Sequence, residues 1–314
     1  MNKNIFLFIP MLLLILVSAC KEDVDPPVDP MTIVETAQAN ADLSLLVEAV
    51  VAADLVDALN SGTFTVFAPN NAAFQALLDS DPAWNVISDI PVETLTSVLL
   101  YHVVEGEVKA ADLSDTYVNT LSPGPNSEPL SLQINVTGGV FFDGDAAPLS
   151  TDIQTSNGVV HVIDKVMMPN SLVDFALANP NFSILVQALT RPSFNGAYLG
   201  ALTGTNPLTV FAPTNAAFEA LLAVVPTWTT LDDIGDASLM GVLDYHVYAG
   251  GNVQSDQLTD GQVIPMLGSG DITIDLSNGV ALSTLGGQTV SVAIADVQSL
   301  NGVIHVVEQV LLPQ

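Results

Sequence analysis

The sequence predicts an α+β fold written twice in tandem. Three separate motifs recur in the same order, each pair offset by 144 residues. Phe64-Thr65-Val66-Phe67-Ala68-Pro69 returns as Leu208-Thr209-Val210-Phe211-Ala212-Pro213, and Tyr101-His102-Val103 as Tyr245-His246-Val247. Asn157-Gly158-Val159-Val160-His161-Val162-Ile163 returns as Asn301-Gly302-Val303-Ile304-His305-Val306-Val307. Within each copy, helical apolar spacing comes first and strands joined by turn signals come after. That is the segregation of an α+β domain, not the alternation of a parallel βαβ sheet. A period this long means two domains rather than a solenoid of short repeats. A chain of 314 residues is long enough to build both cores.

The amino terminus reads as a targeting segment. Met1-Asn2-Lys3-Asn4 precedes an apolar run from Ile5 to Val17, broken by Pro10 and closed by Ser18-Ala19-Cys20. The run is shorter than the roughly 20 residues a membrane-spanning helix needs. With one leading cation and small residues at its end, it reads as a secretory signal peptide over 1–19. Val17-Ser18-Ala19-Cys20 resembles the bacterial lipobox, which would make Cys20 the lipidated first residue of the mature chain. Cys20 is the only cysteine, so no disulfide is available in an exported setting and packing alone must hold the fold. Residues 20–30 combine Glu22, Asp23, Asp25 and Asp29 with Pro26, Pro27 and Pro30, an extended acidic tether. Lys21-Glu22-Asp23 is similar to the short signal with which some Gram-negative bacteria send lipoproteins to the outer face of the outer membrane.

Two domains follow, over 31–169 and 171–314, with only Asn170 between them. Asp42 reads as an amino-terminal cap for a helix carrying Leu43, Leu45, Leu46, Val47 and Val50. Thr63–Ala68 is β-branched and aromatic, hence a strand, and Pro69 ends it. Asn70 or Asn71 then caps a short helix with Phe74, Leu77 and Leu78 on one face. Val92–Val104 reads as a helix ending near Tyr101-His102. In the second copy Asp271–Leu276 and Val280–Leu285 flank Ser277-Asn278-Gly279, a hairpin with a strong turn signal. Ser156-Asn157-Gly158 introduces a closing strand over Val159–Met167. Insertions between the copies are expected in loops, at Ser122–Glu128 and Arg191–Gly200.

The three motifs, found twice and in order, resemble the fasciclin-like domain family. Its pattern is Thr-Val-Phe-Ala-Pro-Thr-Asn-x-Ala-Phe, a central Tyr-His, and a closing Asn-Gly-Val-Ile-His-Val-Ile. The first copy departs with Asn70 where the family favours Thr, and with Met167-Met168 before Pro169. The resemblance implies, in each domain, a β-wedge covered by a layer of helices. It also implies adhesion rather than catalysis. In animal members adhesion is ascribed to the Tyr-His region and to an Asp-Ile pair before the closing Asn-Gly. Those positions are Tyr101, His102, Asp152 and Ile153 in the first copy, and Tyr245, His246, Asp296 and Val297 in the second. The same residues define the fold, so a purely structural role competes with recognition at every one of them.

Chemistry-bearing patterns are few. The four histidines all lie in the repeated motifs, and no close His-x-His or His-x₃-His spacing makes a chelate. There is no Gly-x-Ser-x-Gly elbow, His-Glu-x-x-His or phosphate loop, and no thiol besides Cys20. The sequence therefore predicts no catalytic residues, no metal site and no cofactor. Loosely associated calcium is the one ion the acidity invites, through Asp143-Gly144-Asp145, Asp256 and Asp260, although no twelve-residue calcium loop is present.

Composition narrows the partners. Asp and Glu number 34 against 5 Lys and Arg, a formal charge of −29, which leaves almost nothing to displace counterions from a nucleic acid. Yet 49% of residues are hydrophobic and mean hydropathy is +0.48, so this is no disordered acidic tail. The expectation is a lipid-anchored, surface-exposed outer-membrane protein that binds an extracellular polysaccharide or protein. The alternatives are a periplasmic or envelope structural protein, and a metal-dependent enzyme built on the histidine pairs.

Overall fold

The computed structural model describes residues 30–268 and 270–313. The signal segment, Cys20 and the tether up to Asp29 lie outside the described residues.

The first domain begins with α1 (Ile33–Ala39), started by a capping box in which Thr32 Oγ1 accepts from Glu35 N and Glu35 Oε2 accepts from Thr32 N. Neither this helix nor its counterpart was expected from the sequence. Then follow α2 (Ser44–Ala52), α3 (Val56–Asn60), β1 (Phe64–Pro69), α4 (Asn71–Ser80) and α5 (Val92–Tyr101). The sheet portion is β2 (Val103–Glu105), β3 (Thr116–Pro123), β4 (Pro129–Asn135), β5 (Phe141–Phe142), β6 (Pro148–Thr155) and β7 (Gly158–Ile163). The second domain repeats this order: α6 (Leu172–Ala178), α7 (Ser183–Leu189), α8 (Ala197–Leu202), β8 (Leu208–Pro213), α9 (Asn215–Val224), α10 (Asp236–Asp244) and β9 (Val247–Tyr248). It ends with β10 (Val263–Pro265), β11 (Asp271–Asp275), β12 (Ala281–Thr284), β13 (Thr289–Ser299) and β14 (Gly302–Val307).

Local expectations need correction: the closing strand ends at Ile163 rather than Met167, and α8 begins inside the Arg191–Gly200 segment. Asp42 caps nothing: Asn40 Oδ1 accepts its N–H, a short 3₁₀ turn follows, and α2 starts at Ser44 without a side-chain cap. The helix of Val92–Val104 stops at Tyr101, because Val103 and Val104 pair with Val66 and Thr65 instead. Of the two asparagines offered as caps, Asn70 does the work, accepting from Ala73 N at 2.8 Å. Asn71 has a different task, bridging to α2 through Leu45 N at 2.9 Å and to Ala41 O at 3.0 Å.

The strands run in the order β5-β4-β3-β2-β1-β7-β6 in the first domain and β10-β11-β12-β13-β14-β8-β9 in the second. Most pairs are antiparallel, but the first and last strands of each domain pair in parallel, Phe64 with Gly158 and Leu208 with Gly302. Both orders are the same ring of strands opened at different seams. In the second domain Val292 N donates to Val280 O at 2.9 Å, and β12 pairs with β13. The register of the closing pairs makes Pro148 the counterpart of Val292, and proline has no N–H for that bond. The first wedge instead closes on the other side, through Val104 and Thr120.

All six residues of β1 are buried because both its faces are covered. Phe64, Val66 and Ala68 meet the helices with Leu46, Phe74 and Leu95, whereas Phe67 faces the wedge with Tyr101, Leu132 and Phe142. The second domain has the same two cores. The domains also touch. The Tyr117 ring meets Phe175 edge-on at 5.7 Å and its hydroxyl accepts from Asn179 Nδ2 at 2.8 Å. Gln298 N donates to Ser131 Oγ, and Leu300 N donates to Asn170 O, both at 2.9 Å.

Candidate functional site

The Tyr-His pairs are built into the cores. Tyr101 is fully buried at the end of α5 and its hydroxyl donates to Ser131 O at 2.8 Å; Tyr245 does the same toward Asp271 O at 2.7 Å. His102 donates from Nδ1 to Val98 O at 2.7 Å and accepts Met167 N at Nε2 at 2.9 Å. His246 repeats this with Val242 O and Leu311 N at the same distances. One donor and one acceptor fix each ring as neutral, and burial pushes both rings down to about 4. As recognition residues these four side chains are therefore misplaced: each spends its polar atoms inside the domain.

The closing-strand histidines take the other tautomer. His161 and His305 donate from Nε2 to Val108 O and Val253 O at 2.9 Å, and accept at Nδ1 from Asp152 N and Asp296 N at 3.3 Å. They stack on Phe67 and Phe211. Burial pushes His305 down against the opposing pull of Asp296. All eight imidazole nitrogens of the chain are thus committed to backbone groups, leaving no ring lone pair for a metal. Among the described residues no cluster of three or more His, Cys, Asp or Glu is arranged to hold one.

Asp152 and Asp296 are the candidates that reach solvent. Each lies at a register shift in its strand, at φ of 59° and 65° respectively, a bulge that turns the side chain outward. Asp152 Oδ1 accepts from Ala110 N at 2.8 Å; Asp296 accepts from both the N–H and the hydroxyl of Ser255. Ile153 is half-buried against the helix-side core and Val297 is buried in its counterpart. So the Asp of each pair faces outward and the aliphatic partner inward. Asp296 further lines a polar pocket of about 220 Å³ between the domains, with Asn119, Glu128 and Asp256.

The acidic residues offered for calcium are dispersed. Asp145 pairs with Lys165 at 2.7 Å, Asp260 accepts from Leu276 N, and Asp256 lines the interdomain pocket with Asp296. Asp143 alone is unusual: its Oδ1 accepts from Gln133 N at 3.0 Å, while Oδ2 is sealed from solvent without a partner. Neither its burial nor its setting is visible in the sequence, where Asp143-Gly144-Asp145 looks like an exposed turn.

Two roles that sequence reading missed belong to the closing Asn-Gly. Asn157 accepts from Ile33 N and donates to Leu59 O, both at 2.8 Å, tying α1 and α3 to the last strand. Asn301 does likewise with Leu172 N and Leu202 O. The recurrence of Asn-Gly at an offset of 144 is the signal in the sequence that points to these roles.

The fasciclin domain family model matches this chain twice, over residues 41–169 and 180–313. Protein sll1483 of Synechocystis sp. is 44% identical over 143 residues, covering 44% of this chain and 74% of that protein. Human periostin is 32% identical over 256 residues, and the pig transforming growth factor-beta-induced protein ig-h3 is 28% identical over the same length. Each covers 80% of this chain, which spans only 28% of periostin and 35% of ig-h3. A solved FAS1 domain pair from the insect cell adhesion molecule Fasciclin I aligns with a TM-score of 0.51 at 20% identity, over 87% of this chain and 98% of that one.

Proposed function

This chain belongs to the fasciclin domain family, and from that premise we propose that it is a non-catalytic adhesion or recognition protein held at the cell surface through a lipid on Cys20. It binds an extracellular polysaccharide or protein through the outward surfaces of its two domains. The observation that supports this most is the family match over both copies, each with its defining residues committed to holding the fold. Contact then falls to exposed positions such as the bulge carboxylates Asp152 and Asp296, not to the buried Tyr-His pairs. Calcium associates diffusely with the acidic skin, for among the described residues no group of three or more acidic side chains is arranged as a cage.

Two joined modules raise the apparent affinity for a repetitive ligand by making the second contact intramolecular. A glycan and matrix-protein binding array tests this with the domain pair and each domain alone. Retention of one ligand class by the pair, at least about tenfold weaker for single domains, is the expected result. No retention on any array surface, or turnover of a substrate by the purified protein, would overturn the reading. Protease treatment of intact cells tests display: a chain left uncut is not on the outside.

A further inference from the structure

The junction between the domains holds a carboxyl group that its surroundings accommodate better neutral than ionised. Asp143 lies in the turn after β5, beside linker residue Asn170 and against α6 of the second domain. The next residue, Gly144, has its α-carbon so near that helix that an added Cβ would stand 3.0 Å from Ala178 O. Oδ1 of Asp143 is satisfied by Gln133 N, and Oδ2 has no partner. The Tyr101 hydroxyl lies beside the carboxyl, but its single proton goes to Ser131 O. An ionised Asp143 therefore receives nothing from Tyr101, whereas a neutral one can donate its own proton to the phenol oxygen. The Asn170 amide nitrogen also faces that phenol and is likewise unpartnered.

We propose that Asp143 is a proton-operated latch on the domain junction, closed when the acid is neutral and loosened when it ionises. The closed chain runs from Asp143 to Tyr101 to Ser131. Ser131 Oγ accepts from Gln298 N of the second domain, and Asn170 O from Leu300 N. The groups around the carboxyl all oppose ionisation or are neutral: Asp145 on its own turn, Asp174 on α6, Tyr101 on α5, Tyr117 on β3 and Gln133 on β4. Lys165, the cation on this side, is already paired with Asp145, and Asp174 is engaged in capping Ser171. Burial foremost, and these two aspartates further, push Asp143 up to about 7 against the pull of Gln133 N. The duplication supplies an internal comparison: Tyr245 keeps the hydrogen bond to Asp271 O, but Ser283 occupies the position of Asp143. Only the copy whose wedge abuts the other domain carries the acid.

Amide hydrogen exchange on the full-length chain tests the latch, with Gln298 and Leu300 as reporters across the junction. Val253, whose N–H is bonded within the second domain to Thr209, is the control. Corrected for intrinsic rate, protection at both reporters should fall about tenfold or more between pH 6 and pH 8.5 while Val253 holds. Asp143→Asn should keep them equally protected at both pH values. An unchanged wild-type reporter, a fall shared by Val253, or the same fall in Asp143→Asn would overturn the proposal. Should that variant not fold, the carboxyl carbon resonance of wild-type Asp143 decides. A midpoint near 7 coinciding with the loss of protection supports the latch, and one near 4 ends it.

Discussion

At the residue scale, the four histidines are hydrogen-bonding joints, and the cost of His102 and His246 appears in acid. His102 and His246 stay neutral down to about pH 4, whereas the unfolded chain takes up their protons near 6.5. The unfolded state thus binds more protons between those values. Each histidine withdraws about 3 kcal/mol of stability as pH falls through that window. Asp143 acts in the opposite sense in the first domain, since its neutral form persists to about 7 and its penalty is relieved as pH falls. The second domain, with His246 and His305 and no such acid, should be the acid-labile copy. Amide hydrogen exchange on the full chain from pH 7 to pH 4 should show protection falling steeply in the second domain and little in the first; parallel losses would refute the assignment. Gly158 is the most intolerant position: a Cβ there would stand 1.9 Å from Phe64 O, at φ of 145°. Gly158→Ala should cost more than about 4 kcal/mol, enough to leave the first domain unfolded by circular dichroism. Arg191 is buried in the second domain, donating to Ile234 O, Leu231 O and Asp236. Arg191→Ala strands those acceptors, and chemical denaturation should register a loss of about 3 kcal/mol.

At the scale of elements, duplication made the fold legible. A segment such as Thr63–Ala68 reads as a strand once, and its recurrence with the same Pro and Asn behind it fixes a strand-turn-helix unit. What stayed hidden is what depends on distant partners. α1 is short, and its identity rests on a capping box and on Asn157 holding Ile33 N from the far end of the domain. The truncation of α5 at Tyr101 follows from β1 capturing Val103 and Val104, which no local pattern announces. The candidate site was legible in half: the Asp-Ile positions were located, but the split of each pair, Asp outward and aliphatic inward, is set by bulges that alternation cannot show. The different seams of the two wedges trace to one missing N–H. Val292→Pro should therefore open the second wedge along β12 and β13, losing about 1–3 kcal/mol and the exchange protection of neighbouring amides. Retained protection there would show that the Val292 bond is not what closes the seam.

Across the whole molecule, Tyr117 is the interdomain side chain that adds packing to the hydrogen bonds joining the two copies. Tyr117 packs on Phe175 and bonds Asn179, so Tyr117→Ala should split a shared calorimetric transition into two, and Tyr117→Phe should weaken coupling by only about 1 kcal/mol. An unchanged thermogram for the alanine variant would place the coupling elsewhere. The parallel pairing of first and last strands also governs how the chain comes into being. β1 can pair with β2 early but cannot acquire its parallel neighbour until Gly158–Ile163 has been made, so each copy stays unclosed through nearly all of its own synthesis. The closing segments of the two copies differ by little, Gly-Val-Val-His-Val-Ile against Gly-Val-Ile-His-Val-Val, and either could fill the slot beside β1. Vectorial synthesis resolves the ambiguity: the first copy has its own last strand in hand before the rival exists. Refolding from denaturant, where both segments are present from the start, offers no such priority and invites exchanged strands and paired chains.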